Sequence, residues 1–555
     1  MVKSQSTKRI ASPAIIALLL MIGSAIVVSN AALLGSPAIK ARLQASPVQS
    51  PTLLQDWQKM WSVGAEEDDS GRMVMYNGKL YATGYTEAHV SGDDQYDAWF
   101  ACINTAGTVE WNKSWSNNTL EFGNAICVAG NCIYVGGNAY NLSSSNRTAF
   151  VLKLDMNGNL VWAKLFKLEK WTYASIEGIA ANGTSVFGCG VFRESGHTDD
   201  DAFVVEYADN GTRVWYTMFR PADDNAFNDI IVSGDKMYIV GTYSNPRRIL
   251  FVTWDKPITM GLPTYEFGNQ TVEAWGEVIA RAGGYIYLAG GTNITDDSDL
   301  LLIKIAENGT EMWRRTWHDT GRQNAYGLAV NGTNLFVSGQ VESLLLGDQA
   351  LVARYDTNGT LLNNYTWGGL FSEWASSMAV DGCSIYTLGG SSNVPGLDWE
   401  PFVTRIVLNA APTISQPADS RLAQGRQGNA ISWAITDYSI NTTTNYTIYV
   451  NGTQNATGAW ISGTPITLNV STFALGSYEV MIVAFDGFGM SNADTVILTI
   501  VPDESGAIAA TITIVVIATI GGGIVLLYFL DKKGIVKLKP FFEKMRGLFT
   551  KNKRT

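Results

Sequence analysis

The sequence predicts an all-β protein: a seven-bladed β-propeller, then a β-sandwich, then a C-terminal transmembrane helix. Three observations predict it. One short β pattern returns seven times at a period near 50 residues, it gives way after residue 408 to segments that alternate apolar with polar residues, and residues 507–530 carry no charge. The composition agrees, since 55 Gly and 16% charged residues beside 17 Trp, 23 Tyr and 21 Phe suit many short strands and tight turns.

Residues 1–32 have the layout of a signal peptide. Lys3, Lys8 and Arg9 precede an apolar run from Ile15 to Val28, and small residues follow around Ser29 and Ala31. Read from Ile10 to Leu34, the same stretch is nearly long enough to remain as an uncleaved anchor, and both readings stay open. Residues 33–56 read as a linker.

The propeller is expected over 57–408. Its clearest marks are YATG (81–84), YVGG (134–137), FGCG (187–190), YIVG (238–241), YLAG (287–290), FVSG (336–339) and YTLG (386–389), whose last glycines are 53, 53, 51, 49, 49 and 50 residues apart. The strand after each mark is a nearly continuous apolar run, as in DAFVVEY (201–207) and DLLLIKI (299–305), which predicts burial on both faces. The outer strands carry aromatics four apart, Trp57/Trp61, Trp111/Trp115, Trp162/Phe166, Trp215/Phe219 and Trp313/Trp317, which places each pair on one strand face as glue between blades. The first copy is preceded by an outer-type strand, WQKMW, and the seventh stops after its third strand. A ring closed by residues 57–61 accounts for both, and closure removes exposed edges.

The strings from Asp201 to Trp215 and, more loosely, from Thr148 to Trp162 resemble the SBBP-type β-propeller repeats of bacterial and archaeal surface proteins. The resemblance implies a propeller in a surface setting and carries over no catalytic residue. Blade four departs from the pattern at Asp255 to Pro263, and blade six has Asn363 where the first outer aromatic belongs.

Residues 409–501 read as the sandwich, with strands at AISWAIT (430–436), YTIYVNGT (446–453), ITLNVST (466–472), YEVMIVAFD (478–486) and DTVILTIV (494–501). The segment resembles the Ig-like modules beside the membrane in archaeal surface proteins, which implies a stalk. Residues 507–530 are long enough to span a bilayer, for which about 20 apolar residues suffice. The tail, 531–555, holds nine Lys or Arg against Asp531 and Glu543, whereas the chain between the three N-terminal positives and the tail has 27 basic and 48 acidic residues. That asymmetry predicts a cytoplasmic tail and an extracellular bulk. In the tail, Leu538, Phe541, Phe542, Met545, Leu548 and Phe549 recur at helical spacing, which suits a helix on the anionic inner leaflet or one that docks a cytosolic partner.

Glycosylation candidates agree with export: Asn112, Asn117, Asn141, Asn146, Asn182, Asn210, Asn269, Asn293, Asn308, Asn331, Asn358, Asn364, Asn441, Asn445, Asn451, Asn455 and Asn469 all begin Asn-x-Ser/Thr, and the tail has none. Several are Asn-Gly-Thr, where the same residues also make a hairpin turn. Acidic loops recur at Asp93, Asp94 and Asp97, at Asp199, Asp200 and Asp201, and at Asp296, Asp297 and Asp299. They read as calcium ligands or as caps of their own loops. Cys127 and Cys132 would face each other, and could pair as a disulfide, if Ala129-Gly130 were their turn. The remaining Cys102, Cys189 and Cys383 read as small core residues.

His89, His197 and His318 stand in no triad or metal spacing, and no nucleophile-elbow or phosphate-loop motif occurs. No catalytic residue and no cofactor other than calcium is indicated. The expected function is therefore binding, adhesion or surface-layer structure, with an extracellular ligand, glycan or surface protein as partner. The alternative is a propeller-based extracellular enzyme acting on a polysaccharide or small molecule. The acidic bulk argues against nucleic acid.

Overall fold

The computed structural model describes residues 51–61, 68–87, 96–221, 223–255, 264–267, 272–294, 297–343, 346–394, 397–437 and 444–503. The chain divides at residue 410 into two compact units. The expected signal peptide, membrane span and tail lie outside the described residues. Among those described, no helix is long and apolar enough to cross a membrane.

The first unit is a propeller of seven four-stranded antiparallel sheets. Six are continuous in sequence: blade one over 68–115, two over 120–166, three over 171–219, four over 225–267, five over 274–317 and six over 323–367. Blade seven takes its three inner strands from 373–409 and its outer strand from Thr52–Met60, which runs antiparallel to Leu397–Asn409 from Thr52 opposite Asn409 to Met60 opposite Phe402. The closing strand thus starts at Thr52, inside the segment read as linker, and ends one residue short of Trp61. Hydrogen bonding sets this start. Arg354 and Asn363 of blade six donate to the Pro51 carbonyl at 3.1 and 2.7 Å, and Arg405 of blade seven pairs with Asp56 at 2.6 Å.

Every apolar core is shared by two neighbouring blades, because each sheet buries both faces. Val151 and Phe166 of blade two, for example, pack with Trp171 and Phe203 of blade three. The same holds around the ring to Leu80 and Trp99 of blade one, which pack with Tyr386 and Val403 of blade seven. The outer aromatics take part as expected. Trp115 meets Phe150 with ring centres 4.9 Å apart, and Trp215 meets Trp254 at 5.2 Å, each across a blade boundary.

The departures in blades four and six have structural counterparts. Blade four's outer strand is shortened to Thr264–Phe267. At blade two, Lys153 and Trp162 lie opposite each other and both donate to the Asp209 carbonyl of blade three, and in blade five Lys304 and Trp313 do the same to Thr357 of blade six. Blade six keeps the device with Arg354 and Asn363, aimed at Pro51 because blade seven has no turn there.

One buried acid sets a pH dependence. Glu121 is fully buried beside Asp97, one of its carboxyl oxygens has no partner, and burial raises its pKa from 4.5 to about 7. Between those two values the folded chain holds a proton that the unfolded chain has lost, so stability falls as pH rises through the window and levels off above it. The fall is on the order of 2 to 3 kcal/mol. Glu121→Gln is expected to flatten it, which urea midpoints at pH 5 and pH 8 will show.

The second unit has a three-stranded sheet (Thr413–Ile414, Ala430–Thr436, Pro465–Asn469) and a five-stranded sheet (Ser420–Ala423, Asn445–Val450, Thr453–Gly458, Gly476–Phe485, Ser491–Val501). They enclose one core around Trp433, Trp460, Ile482 and Leu498. The alternation read in 430–436 is explained by it, with Ile431, Trp433 and Ile435 buried, Ala430, Ser432 and Thr436 exposed and Ala434 half-buried. The Trp433 indole N–H donates to Asp494 at 2.8 Å.

Candidate functional site: the axial pocket

The innermost strand of every blade carries a β-bulge at the same level. Register slips occur between Ser70/Met73, Gly123/Ala125, Ile176/Gly178, Phe227/Asp229, Gly276/Val278, Ala325/Gly327 and Trp374/Ser377. A bulge re-aims the extra residue away from the ladder. The residues so placed are Arg72, Asn124, Glu177, Asn228, Glu277, Tyr326 and Ser376, all half-buried. They form a polar ring around the propeller axis.

The bulges explain the repeat's glycines. A Cβ on Gly137, Gly190, Gly241 or Gly339 would stand 1.8–1.9 Å from a carbonyl oxygen of the adjoining inner strand, just before the bulge residue. The mark most visible in the sequence is therefore the space that the bulge needs. Gly190→Ala drives its methyl into the Ser175 carbonyl and is expected to cost about 3 kcal/mol or more, measured by urea unfolding.

Two cavities lie along the axis. The polar one, about 350 Å³, is lined by Arg72, Asn124, Glu177, Glu277, Tyr326 and Ser376 of the ring, with Gln340 and Trp374. The other, about 190 Å³, is ringed two residues further along each inner strand by Val74, Ile126, Ile179, Ile230, Ile279, Leu328 and Met378. Arg72 and Tyr326 border both. Arg72 spans the axis from blade one to the far side, donating to the Asn228 and Glu277 carbonyls at 3.2 Å each and pairing with Asp229 at 3.0 Å. It is the floor of the polar pocket. Burial opposes the guanidinium's charge, but the attraction and hydrogen bond of Asp229 outweigh it, and its pKa is raised.

The walls are held by neighbours. Asn124 of blade two donates to Ser175 Oγ, the Ile176 carbonyl and Glu177 of blade three at 3.1, 3.1 and 3.3 Å. Tyr326 donates to Gln340 at 3.2 Å, and Gln340 to Asp348 at 3.1 Å. Trp374 stacks edge-on against Trp399 at 4.4 Å. Burial pushes the Glu177 and Glu277 carboxyls up, opposed by Arg72 with Arg147 at the first and Arg247 at the second.

None of the ring residues was singled out from the sequence, although a signal exists. Each lies 13 residues before the last glycine of its blade's mark, or 12 in blade one. Their identities differ from blade to blade, so a search for repeated residue types passes over them.

The expected acidic sites are elsewhere. Asp93, Asp94 and Asp296 lie outside the described residues. Asp97 is buried at the start of its strand, Asp199 accepts from the Thr198 hydroxyl at 2.9 Å, and Asp200 is held by Arg193 at 2.8 and 2.9 Å. Asp201 lies 3.8 Å from Arg220, Asp299 meets His318 at 2.7 Å, and Asp297 lies near enough to Arg322 to favour its charge. Among the described residues, no group of three or more His, Cys, Asp or Glu is placed to hold a metal ion.

The disulfide expected between Cys127 and Cys132 is corrected. Their hairpin turns on Gly130 and Asn131, both at positive φ (56° and 65°), one residue later than assumed. Cys132 therefore lies opposite Ala129, and Cys127 opposite Tyr134. The two cysteines are diagonal, about 7–8 Å apart in such a pair and beyond the usual disulfide span, and both thiols are free. Non-reducing peptide mapping is expected to recover both as thiols. Of the sequons, Asn269 and Asn441 fall outside the described residues, and most of the others are exposed, whereas Asn146 and Asn331 are half-buried.

No family model matches the sequence, and no curated protein matches it. Solved structures similar to the chain include the phage phi92 endosialidase, at 12% identity over 65% of this chain and 69% of that one, with a TM-score of 0.38. The β-propeller domain of the trilobed protease from Pyrococcus furiosus is similar at 10% identity over 62% and 96%, with a TM-score of 0.39. The acylaminoacyl peptidase of Pyrococcus horikoshii is similar at 10% identity and a TM-score of 0.39, and the chain spans 60% of its length. At TM-scores below 0.5 these likenesses carry no argument about chemistry, and the propeller reading rests on this chain's own strand order, register and shared cores.

Proposed function

We propose that the protein is a single-pass cell-surface receptor or adhesin whose propeller holds a ligand in its axial pocket, raised from the membrane by an Ig-like stalk over 409–501. The observation that carries the binding reading is the ring itself: seven bulges place seven polar side chains around the axis, and six of them line one polar cavity, a concave site of the size that ligand pockets have. The uncharged segment 507–530 and the basic tail support the membrane orientation. Protease treatment of intact cells making the full-length chain is expected to remove the propeller while sparing an epitope on the tail; loss of both, or of neither, speaks against this orientation. For the pocket, cells displaying the wild-type chain are expected to retain a soluble surface-extract component that the Trp374→Ala chain retains at least ten times less.

Two carboxylates in one pocket favour a second reading, hydrolysis of a saccharide. An acid and a base are made by environments that drive two pKa values apart. Here burial drives Glu177 and Glu277 in the same direction, which suits binding better than proton transfer.

A further inference from the structure

Resting on the pocket reading above, we infer that the ligand is the free end of a neutral glycan, inserted end-on so that one or two sugar units occupy the polar cavity. Three features of the cavity lead there. The first is its mixture of groups: the carboxylates of Glu177 and Glu277 accept, the amides of Asn124 and Gln340 both donate and accept, and the face of Trp374 is apolar. Sugar hydroxyls donate and accept at once, and a pyranose also presents a C–H face that packs on an aromatic ring.

The second is charge. Arg72 pairs with Asp229 at 3.0 Å and also opposes Glu177 and Glu277, which are opposed further by Arg147 and Arg247, lying against Tyr173 at 5.5 Å and Trp275 at 4.3 Å, so that three arginines face three carboxylates. A ligand with a strong net charge of either sign would leave one of these groups uncompensated. Two carboxylates without a third are also too few to replace the water around a calcium ion, which takes six to eight oxygens.

The third is depth. The guanidinium of Arg72 crosses the axis to blades four and five, where Asp229 and the Asn228 and Glu277 carbonyls hold it, and the smaller cavity beyond it is narrowed by a ring of seven aliphatic and Met side chains. A polymer cannot thread the channel, so only a chain end can enter. At about 350 Å³ the cavity is near the lower limit of ligand pockets, which sets the length at one or two units.

The test uses cells displaying the full-length chain and two probes: an array of neutral oligosaccharides with free ends, and the surface extract before and after periodate, which cleaves vicinal diols. At least one array glycan is expected to bind, to be competed by its own terminal mono- or disaccharide, and to bind at least tenfold more weakly to Glu277→Gln and Trp374→Ala chains. Glu277→Gln is near-isosteric, so a loss there at an unchanged melting temperature reports the pocket and not the fold. Cyclic oligosaccharides, which have no end, are expected not to bind. Extract binding that needs Trp374 but survives periodate would overturn the glycan inference and leave the pocket reading in place. Extract binding that is indifferent to both substitutions would overturn the two together, and equal binding of cyclic and linear forms of one sugar would overturn end-on insertion.

Discussion

Deleting residues 51–61 is expected to abolish cooperative folding of the propeller, the largest effect of any change proposed for this chain. The segment is the entire outer strand of blade seven, and nine residues of it, Thr52–Met60, run along Leu397–Asn409. Without it the Leu397–Asn409 strand becomes a free edge, Arg405 loses Asp56, and Arg354 and Asn363 lose the Pro51 carbonyl. The cores on both sides of blade seven also lose Leu53, Trp57 and Trp61. Large apolar side chains cost about 2 to 5 kcal/mol each when removed from a core, so these three together with the lost ladder and ion pair are comparable with the whole of the roughly 5 to 15 kcal/mol by which a domain is usually stable. The measurement is urea unfolding with size-exclusion chromatography. The expected outcome is a non-cooperative transition and soluble aggregates built through the open edge, with partial rescue by a peptide spanning 51–61 added in trans. A monomer that unfolds cooperatively at the wild-type midpoint would show that blade seven closes by other means.

The ring was legible in the sequence because its devices repeat by residue type. The last glycines of the marks are forced by a carbonyl less than the width of an atom away from their missing Cβ, and the outer tryptophans by the shared cores, so both recur visibly. The limits of the closing strand were less legible. Thr52 to Asp56 are tied down by partners more than 300 residues away, including Arg405 and the strand ending at Asn409, and no local pattern announces such pairing. The hairpin at Cys127 illustrates how little register needs to slip. Gly130 served equally as the second or the first turn residue on paper, and only Asn131, able to adopt a left-handed conformation, decided for the latter. The pocket was the least legible part, since a bulge fixes where a side chain points and leaves its identity free. Arginine, asparagine, glutamate, tyrosine and serine all occupy the same structural position.

Arg72→Met is expected to destabilise the propeller by about 2 to 4 kcal/mol, somewhat less than the loss of a partner from a fully buried ion pair, because the Arg72 and Asp229 side chains keep 23% and 13% of their surface exposed. The cost arises less from the attraction itself than from what is left behind. Asp229 retains the Ile230 and Ile279 amides, at 3.0 and 3.1 Å, but it loses its cation in a setting ringed by apolar side chains, and the Asn228 and Glu277 carbonyls lose a donor. Asp229→Asn in the same chain removes the stranded charge, so the double variant is expected to be more stable than Arg72→Met alone, and a double-mutant cycle should return a coupling of about 1 to 3 kcal/mol. Additive losses would mean that Arg72 acts through packing only. The same substitution separates stability from binding. Methionine fills the floor without donating, so a ligand that rests on the guanidinium is lost in Arg72→Met and stays lost in the double variant even as stability returns, whereas a ligand held only by Trp374, Glu177 and Glu277 recovers with the fold.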